Sequence, residues 1–327
     1  MNGSNATGWD QVGTSAQVVF VLVYSLLFLV GLILNGFTLK VYFCRARQQT
    51  SSSVTVYLKN LAASDFLISL SLPIRIIHLT WNSVPIHQLY CNFGSVAFYL
   101  NMYASILFMG YIAANRYLKI VHPLQTHILQ TKRASHIVSM VTWVFLLAVS
   151  CSYIVLFLLN QKDSPMKDTV FCEDLHNSKF GVFYKLTHAC SAAIFLLVLI
   201  SLVLFYYSTS HRLSLAQQRQ PASSSSNKLA KSRRNMLVLV IVFCVCFVPY
   251  HLVRLPYAFL GKDMTFFYLK EVTIIVSVLN ICLDPLIYFI FCKAFRAQLN
   301  TKRTFNTSQV TSHAGRLEMR SNGEWRS

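Results

Sequence analysis

Residues 18–43 read VVFVLVYSLLFLVGLILNGFTLKVYF, an apolar run interrupted by a single charge, Lys40. A helix that crosses a bilayer needs about 20 such residues. Six more runs of roughly 25 residues follow, at Val54–Leu79, Cys91–Val121, Ala134–Leu159, Val182–Ser208, Asn235–Leu260 and Phe266–Phe291. They account for a composition that is 54% hydrophobic and only 12% charged over 327 residues. A soluble fold of this length needs about twice that charged share to cover its surface. An ordinary cytosolic enzyme and a disordered chain are both excluded. The expected fold class is an all-α membrane protein, a seven-transmembrane helix bundle.

The net charge is +18. A basic balance often signals nucleic acid, but here the basic residues lie between apolar runs, so no nucleic-acid partner is expected. They also set the orientation. No Lys or Arg precedes Leu39. Arg45 and Arg47 follow the first run, and Lys119, Lys132 and Arg133 lie after the third. Arg212, Arg219, Lys228, Lys231, Arg233 and Arg234 precede the sixth, and the tail is basic. The alternate loops are balanced. The N-terminus is therefore expected outside and the C-terminus inside, in a multi-pass protein of the plasma membrane. No cleaved signal peptide is read. Asn2-Gly3-Ser4 and Asn5-Ala6-Thr7 are glycosylation acceptors on the outer segment 1–16. The seven-span body covers 17–299. The stretch Gln217–Asn227 reads as a mobile inner loop, and residues 300–327 as a disordered tail.

Polar groups at membrane depth usually have a task. Asp65, Ser105, Asn280 and Asp284, with Asn35 in the first run, form one set. Asn280 and Asp284 are four apart and share a face. Two carboxylates, an amide and a hydroxyl suit either a sodium ion or a hydrogen-bonded water cluster with one Asp protonated. Pro249 and Pro285 fall inside the sixth and seventh runs, where each removes a backbone bond. They mark either hinges or static kinks. A third set is basic and aromatic: Arg75, Tyr99, Tyr103, His251, Arg254, Tyr257 and Lys270, all toward the outer ends. His251, Arg254 and Tyr257 are spaced by three and share a face. A cationic, tyrosine-lined cavity recruits an anionic ligand, whereas snorkelling to headgroups is the alternative, better suited to Lys270 than to Arg254. Of nine cysteines most lie in apolar runs; Cys91 and Cys172 lie on the oxidising outer side and are expected to pair.

These residues fall into the motifs of a known family. They are Leu34-Asn35, Leu61-Ala62-Ala63-Ser64-Asp65, Cys91, Asn115-Arg116-Tyr117, Trp143, Cys246-Phe247-Val248-Pro249 and Asp284-Pro285-Leu286-Ile287-Tyr288, with a short amphipathic C-terminal helix over Cys292–Arg296. In this order and spacing the chain resembles rhodopsin-like G-protein-coupled receptors from about Tyr24 to Leu299. Stretches such as Phe98–Tyr103, Cys246–His251, Arg254–Tyr257, Lys270-Glu271 and Leu279–Pro285 are most similar to the purinergic subgroup of ADP and UDP-sugar receptors and their orphan relatives. The resemblance implies that Tyr99, His251, Arg254, Tyr257 and Lys270 contact a nucleotide, and it supports the Cys91–Cys172 disulfide. It also implies that the inner ends engage a heterotrimeric G protein of the inhibitory class, with Arg116 swinging toward Tyr206 and Tyr288 as the sixth helix moves.

Three departures stand out. The acid usual before Arg116 is Asn115, so either Arg116 is less restrained and basal signalling rises, or Asn115 hydrogen-bonds it. No Cys precedes the first helix or lies in Gly261–Leu269, so a second outer disulfide is absent. Phe247 replaces the usual Trp, as it does in the subgroup. The expected function is a cell-surface receptor for an extracellular anionic small molecule, first a nucleotide or nucleotide sugar, and no enzyme. Alternatives are a lysophospholipid receptor or a constitutively active orphan. A transporter lacks its repeated halves here, and a channel its charge rings. The basic run Lys228–Arg234 suits an acidic partner or membrane lipid headgroups.

Overall fold

The computed structural model describes residues 14–45, 52–81, 83–121, 128–163, 178–219, 224–260 and 264–291. Among these residues there are helices and turns and no strand. Seven helices are long and apolar enough to cross a membrane. In lipid every backbone N–H and C=O must be satisfied within the segment, so apolar runs of this length fold as helices. The first two spans are Thr14–Arg45 and Ser53–Thr80. The third begins with a short helix, Val84–Leu89, passes through a wider turn at Tyr90–Gly94, and continues as Ser95–Val121. The fourth, fifth and sixth are Lys132–Asp163, Ser178–Arg219 and Ser224–Leu260. The seventh is split at Leu279 into Met264–Val278 and Asn280–Phe291.

Two boundaries correct the sequence reading. Gln217–Asn227 is not a loop throughout: helix reaches Arg219 and resumes at Ser224. Ala, Leu, Lys, Arg and Gln hold a helix well in water, so the end of the apolar run does not end the helix. For the same reason Lys119, and Lys228 through Arg234, are helical rather than in loops. Asn2, Asn5, Cys172, the amphipathic segment from Cys292 and the tail lie outside the described residues.

The third span is the hub. Of its most apolar window 67% is buried, against 22% for the first, fourth and fifth. Its mixed polarity thus belongs to a helix enclosed by others. Its Phe108 and Ile112 share one core with Leu58 and Leu61 of the second span, Phe243 and Phe247 of the sixth and Tyr288 of the seventh, all fully buried. Leu22, Leu26, Leu29 and Ile33 form an exposed stripe on the first span, as a lipid-facing surface requires. Gly31 lets three helices meet: a Cβ there would run into Ile281 of the seventh span and Ser69 of the second. Trp143 of the fourth span donates to Asn60 Oδ1 of the second at 2.9 Å.

Pro285 explains a further contact. It has no N–H, so the carbonyl four residues back, Ile281 O, lacks its helical donor. Asn35 Nδ2 of the first span fills that role at 2.8 Å and also reaches Gly31 O at 3.1 Å.

Candidate ligand site and switch residues

The antiparallel course of the spans gathers Arg75, His251, Arg254, Tyr257 and Lys270 at one end of the bundle, and all five are buried. Arg254 of the sixth span is the centre. Its Nη2 donates to Tyr184 OH of the fifth span at 2.6 Å. Its guanidinium lies over three rings, Tyr99 at 5.6 Å, Tyr184 at 5.6 Å and Tyr257 at 5.4 Å. Aromatic faces stabilise a desolvated cation while leaving guanidinium N–H groups directed elsewhere. Lys270 also approaches Tyr257, with Nζ 4.6 Å from the ring centre and 3.5 Å from the hydroxyl. Tyr257 thus has two cations against its ring.

One turn deeper, His251 Nδ1 hydrogen-bonds Phe247 O at 2.8 Å. A carbonyl only accepts, so Nδ1 carries the proton, and in the neutral ring Nε2 accepts from Tyr103 OH at 3.1 Å. Phe195 stacks flat on the imidazole, 3.8 Å between centres. His251 is thus held as an orienting group between the third, fifth and sixth spans.

Arg75 stands apart. It forms a salt bridge with Glu271 of the seventh span, donates to Tyr90 OH, and lies over the Tyr24 ring at 4.9 Å. Lys270 Nζ is 3.9 Å from the other oxygen of Glu271. The seven residues expected to line one anion site therefore divide. Arg254, Tyr99, Tyr257 and Lys270 form one cation–ring cluster with the Tyr103–His251 pair beneath it, whereas Arg75 is taken up by Glu271, which Lys270 also approaches. Two residues of the site, Glu271 and Tyr184, are not singled out by sequence reasoning. The Lys270-Glu271 pair carries a signal for Glu271, since a buried cation calls for a counter-charge. Tyr184 has none, being one aromatic among many on the fifth span. Cys91 is disulfide-bonded.

The polar core lies between the Arg254 cluster and the opposite end. Asp65 accepts from Tyr288 OH and, at 3.4 Å, from Ser105, and Ser105 meets Ser64 at 3.1 Å. Asp284 is fully buried against the Asp65 carboxyl, and among the described residues no hydroxyl, amide or cation donates to either of its oxygens. Asn280 is buried beside it on the same helix.

At the opposite end Asn115 does not turn solely to Arg116: its Nδ2 donates to Ser53 Oγ of the second span at 2.9 Å. Arg116 donates to Phe291 O at 3.3 Å and lies over the Phe291 ring at 4.8 Å. Tyr117 stacks on Phe205 at 4.7 Å. Tyr288 is engaged with Asp65, and Tyr206 lines a separate cavity with Lys231, Arg233 and Arg234. Phe247 is fully buried, edge-on to Phe243, and Pro249 lies in the same helix between it and Arg254.

This arrangement of a cation–tyrosine cluster at one end, a buried polar core and an Arg at the other meets a family match over most of the chain. Residues 34–288 match the model of the 7 transmembrane receptor (rhodopsin family). The chain belongs to that family. The receptor is 33% identical over 309 residues to purinoceptor 14 of Bos taurus, covering 89% of this chain and 90% of that one. It is 30% identical over 295 residues to purinoceptor 13 of Homo sapiens, covering 86% and 80%. It is 31% identical over 316 residues to G-protein coupled receptor 87 of Mus musculus, covering 94% and 85%. The receptor is thus a multi-pass cell-surface protein of the purinoceptor-like group that acts through a heterotrimeric G protein, and it is no enzyme.

Proposed function

We propose that the receptor recognises an extracellular nucleotide or nucleotide sugar and signals through an inhibitory-class G protein. In this reading the N-terminus is outside and the Arg254 end faces the extracellular space. The observation that carries it is the pair of buried cations, Arg254 and Lys270, both against the ring of Tyr257. Guanidinium and ammonium groups match the charge and geometry of phosphates. Tyr99, Tyr103 and Tyr184 offer ring faces and hydroxyls to a base or sugar. Two of the relatives carry the name purinoceptor, which supports the same ligand class. Arg75 serves the fold through Glu271 and contributes to the anion only by its field. The test is binding of nucleotides, nucleotide sugars and a lysophospholipid to the purified full chain. Nucleotide binding that Arg254→Ala weakens at least tenfold supports the reading. Lysophospholipid binding alone overturns it.

The polar core fits a sodium ion held by Asp65 and Asp284, with Ser105 and Asn280 as neutral oxygen ligands. Asp284 and Asp65 in buried contact, with no hydroxyl, amide or cation donating to Asp284 among the described residues, support it, because two facing buried carboxyls need a cation or a proton between them. Asn115, bonded to Ser53 and carrying no charge, restrains Arg116 less than an acid would. Raised basal signalling is part of the same proposal.

A further inference from the structure

A charged cavity lies at the Arg116 end, away from the Arg254 cluster. It has a volume of about 580 Å³ and is lined by Tyr206 of the fifth span with Asn227, Lys231, Arg233, Arg234 and Leu237 of the sixth. No acidic residue lines it, and among the described residues none of its three cations makes an ion pair. We propose that this cavity holds the headgroup of an anionic phospholipid, whose acyl chain lies along the sixth span.

Its depth is the first argument. About 20 residues separate Arg234 from Arg254 on one helix, which is roughly 30 Å at 1.5 Å per residue. That is the thickness of a hydrocarbon core. With Arg254 at one end, Arg234 stands at the opposite headgroup level.

The helix face is the second. Asn227, Lys231 and Arg234 follow one another at intervals of four and three, so they share a face. The same face continues through Leu237, Ile241 and Val245, which are 37%, 51% and 46% exposed. A soluble anion would use the cations and leave this apolar track bare. A phospholipid matches both, charge on the cations and chain on the track. Tyr206 adds a hydroxyl from the neighbouring span, at the boundary where tyrosine, apolar in body and polar at its tip, is favoured. The size is right for a phosphorylated inositol headgroup, since small-molecule pockets run from about 300 to 1,000 Å³. The proposal rests on the orientation argued above, because anionic lipids concentrate in the cytoplasmic leaflet.

The test uses the full chain purified in detergent, where orientation plays no part. Native mass spectrometry is read with dioctanoyl phosphatidylinositol bisphosphate, dioctanoyl phosphatidylcholine and inositol trisphosphate as probes. The bisphosphate lipid binds most tightly, and Lys231→Gln with Arg234→Gln weakens it roughly 10- to 30-fold. Lys132→Gln with Arg133→Gln, removing two exposed cations at the same end, leaves binding unchanged. Equal binding by the Lys231/Arg234 variant and the parent overturns the proposal. So does phosphatidylcholine or inositol trisphosphate binding as tightly as the bisphosphate lipid. Orientation is checked separately, by antibody access to an N-terminal tag on intact cells. An inward tag would refute the orientation without touching the detergent result.

Discussion

Arg75 of the second span and Glu271 of the seventh form a salt bridge whose side chains are only 7% and 5% exposed. Breaking a buried pair from one side costs about 3–5 kcal/mol, because the remaining charge is stranded. Replacing both partners by apolar residues of similar size is often neutral. Glu271→Gln should therefore lower the melting temperature of the purified receptor and its surface density. Arg75→Met combined with Glu271→Leu should recover part of both, the remainder being the loss of Lys270's carboxylate. Melting curves of the single and double variants check this; equal melting temperatures in all of them would show the pair to be idle.

Tyr184 orients Arg254 through the 2.6 Å hydrogen bond. A hydrogen bond to a charged group is worth about 1.5–3 kcal/mol. Tyr184→Phe keeps the ring under the guanidinium and removes only that bond. Agonist potency should fall roughly 10-fold or more, with surface expression intact. Arg254→Lys should be worse than Tyr184→Phe, since an ammonium loses the fork as well. A potency unchanged in Tyr184→Phe would mean that the hydroxyl does not position Arg254.

Much of this is legible in the sequence, and the reasons differ by residue. The seven spans follow from apolar runs and the demand for internal backbone bonding. Asp65 meets Ser105, and Tyr103 meets His251, because helical spacing and depth bring them together. The helical extensions to Arg219 and from Ser224 are hidden, since a polar helix in water leaves no apolar signature. Charge and depth alone group Arg75 with Arg254. Spacing along one helix says nothing about which residue of another helix faces it, so Glu271 as the partner of Arg75 emerges only from the packing. Asn35 is the converse case: its motif is recognisable, but its contact with Ile281 O depends on the gap that Pro285 leaves.

The polar core gives a salt-specific prediction. Sodium bound only by the folded receptor raises its melting temperature. The receptor should melt higher in sodium chloride than in choline chloride at equal ionic strength, and Asp65→Asn or Asp284→Asn should abolish the difference. The same difference in Asp284→Asn as in the parent would remove sodium from the account.

Asn115→Asp restores a charge beside Arg116. Asn115 is buried and Arg116 half-buried, so the pair is less screened than an exposed one, whose contribution of up to about 1 kcal/mol, a several-fold shift in an equilibrium, is the lower bound. Ligand-free signalling should fall by at least that factor. Basal signals that match at matched surface density would sink the restraint argument.

The central claim, that buried Arg254 reads an extracellular nucleotide, is tested most directly by G-protein dissociation in cells expressing the receptor. The panel would hold nucleotides, nucleotide sugars and lysophospholipids, with and without pertussis toxin. A toxin-sensitive response to a nucleotide or nucleotide sugar is expected, and Arg254→Ala, at equal surface density, should shift it at least tenfold to the right. A response to lysophospholipid alone, or a nucleotide response indifferent to Arg254→Ala, would contradict it.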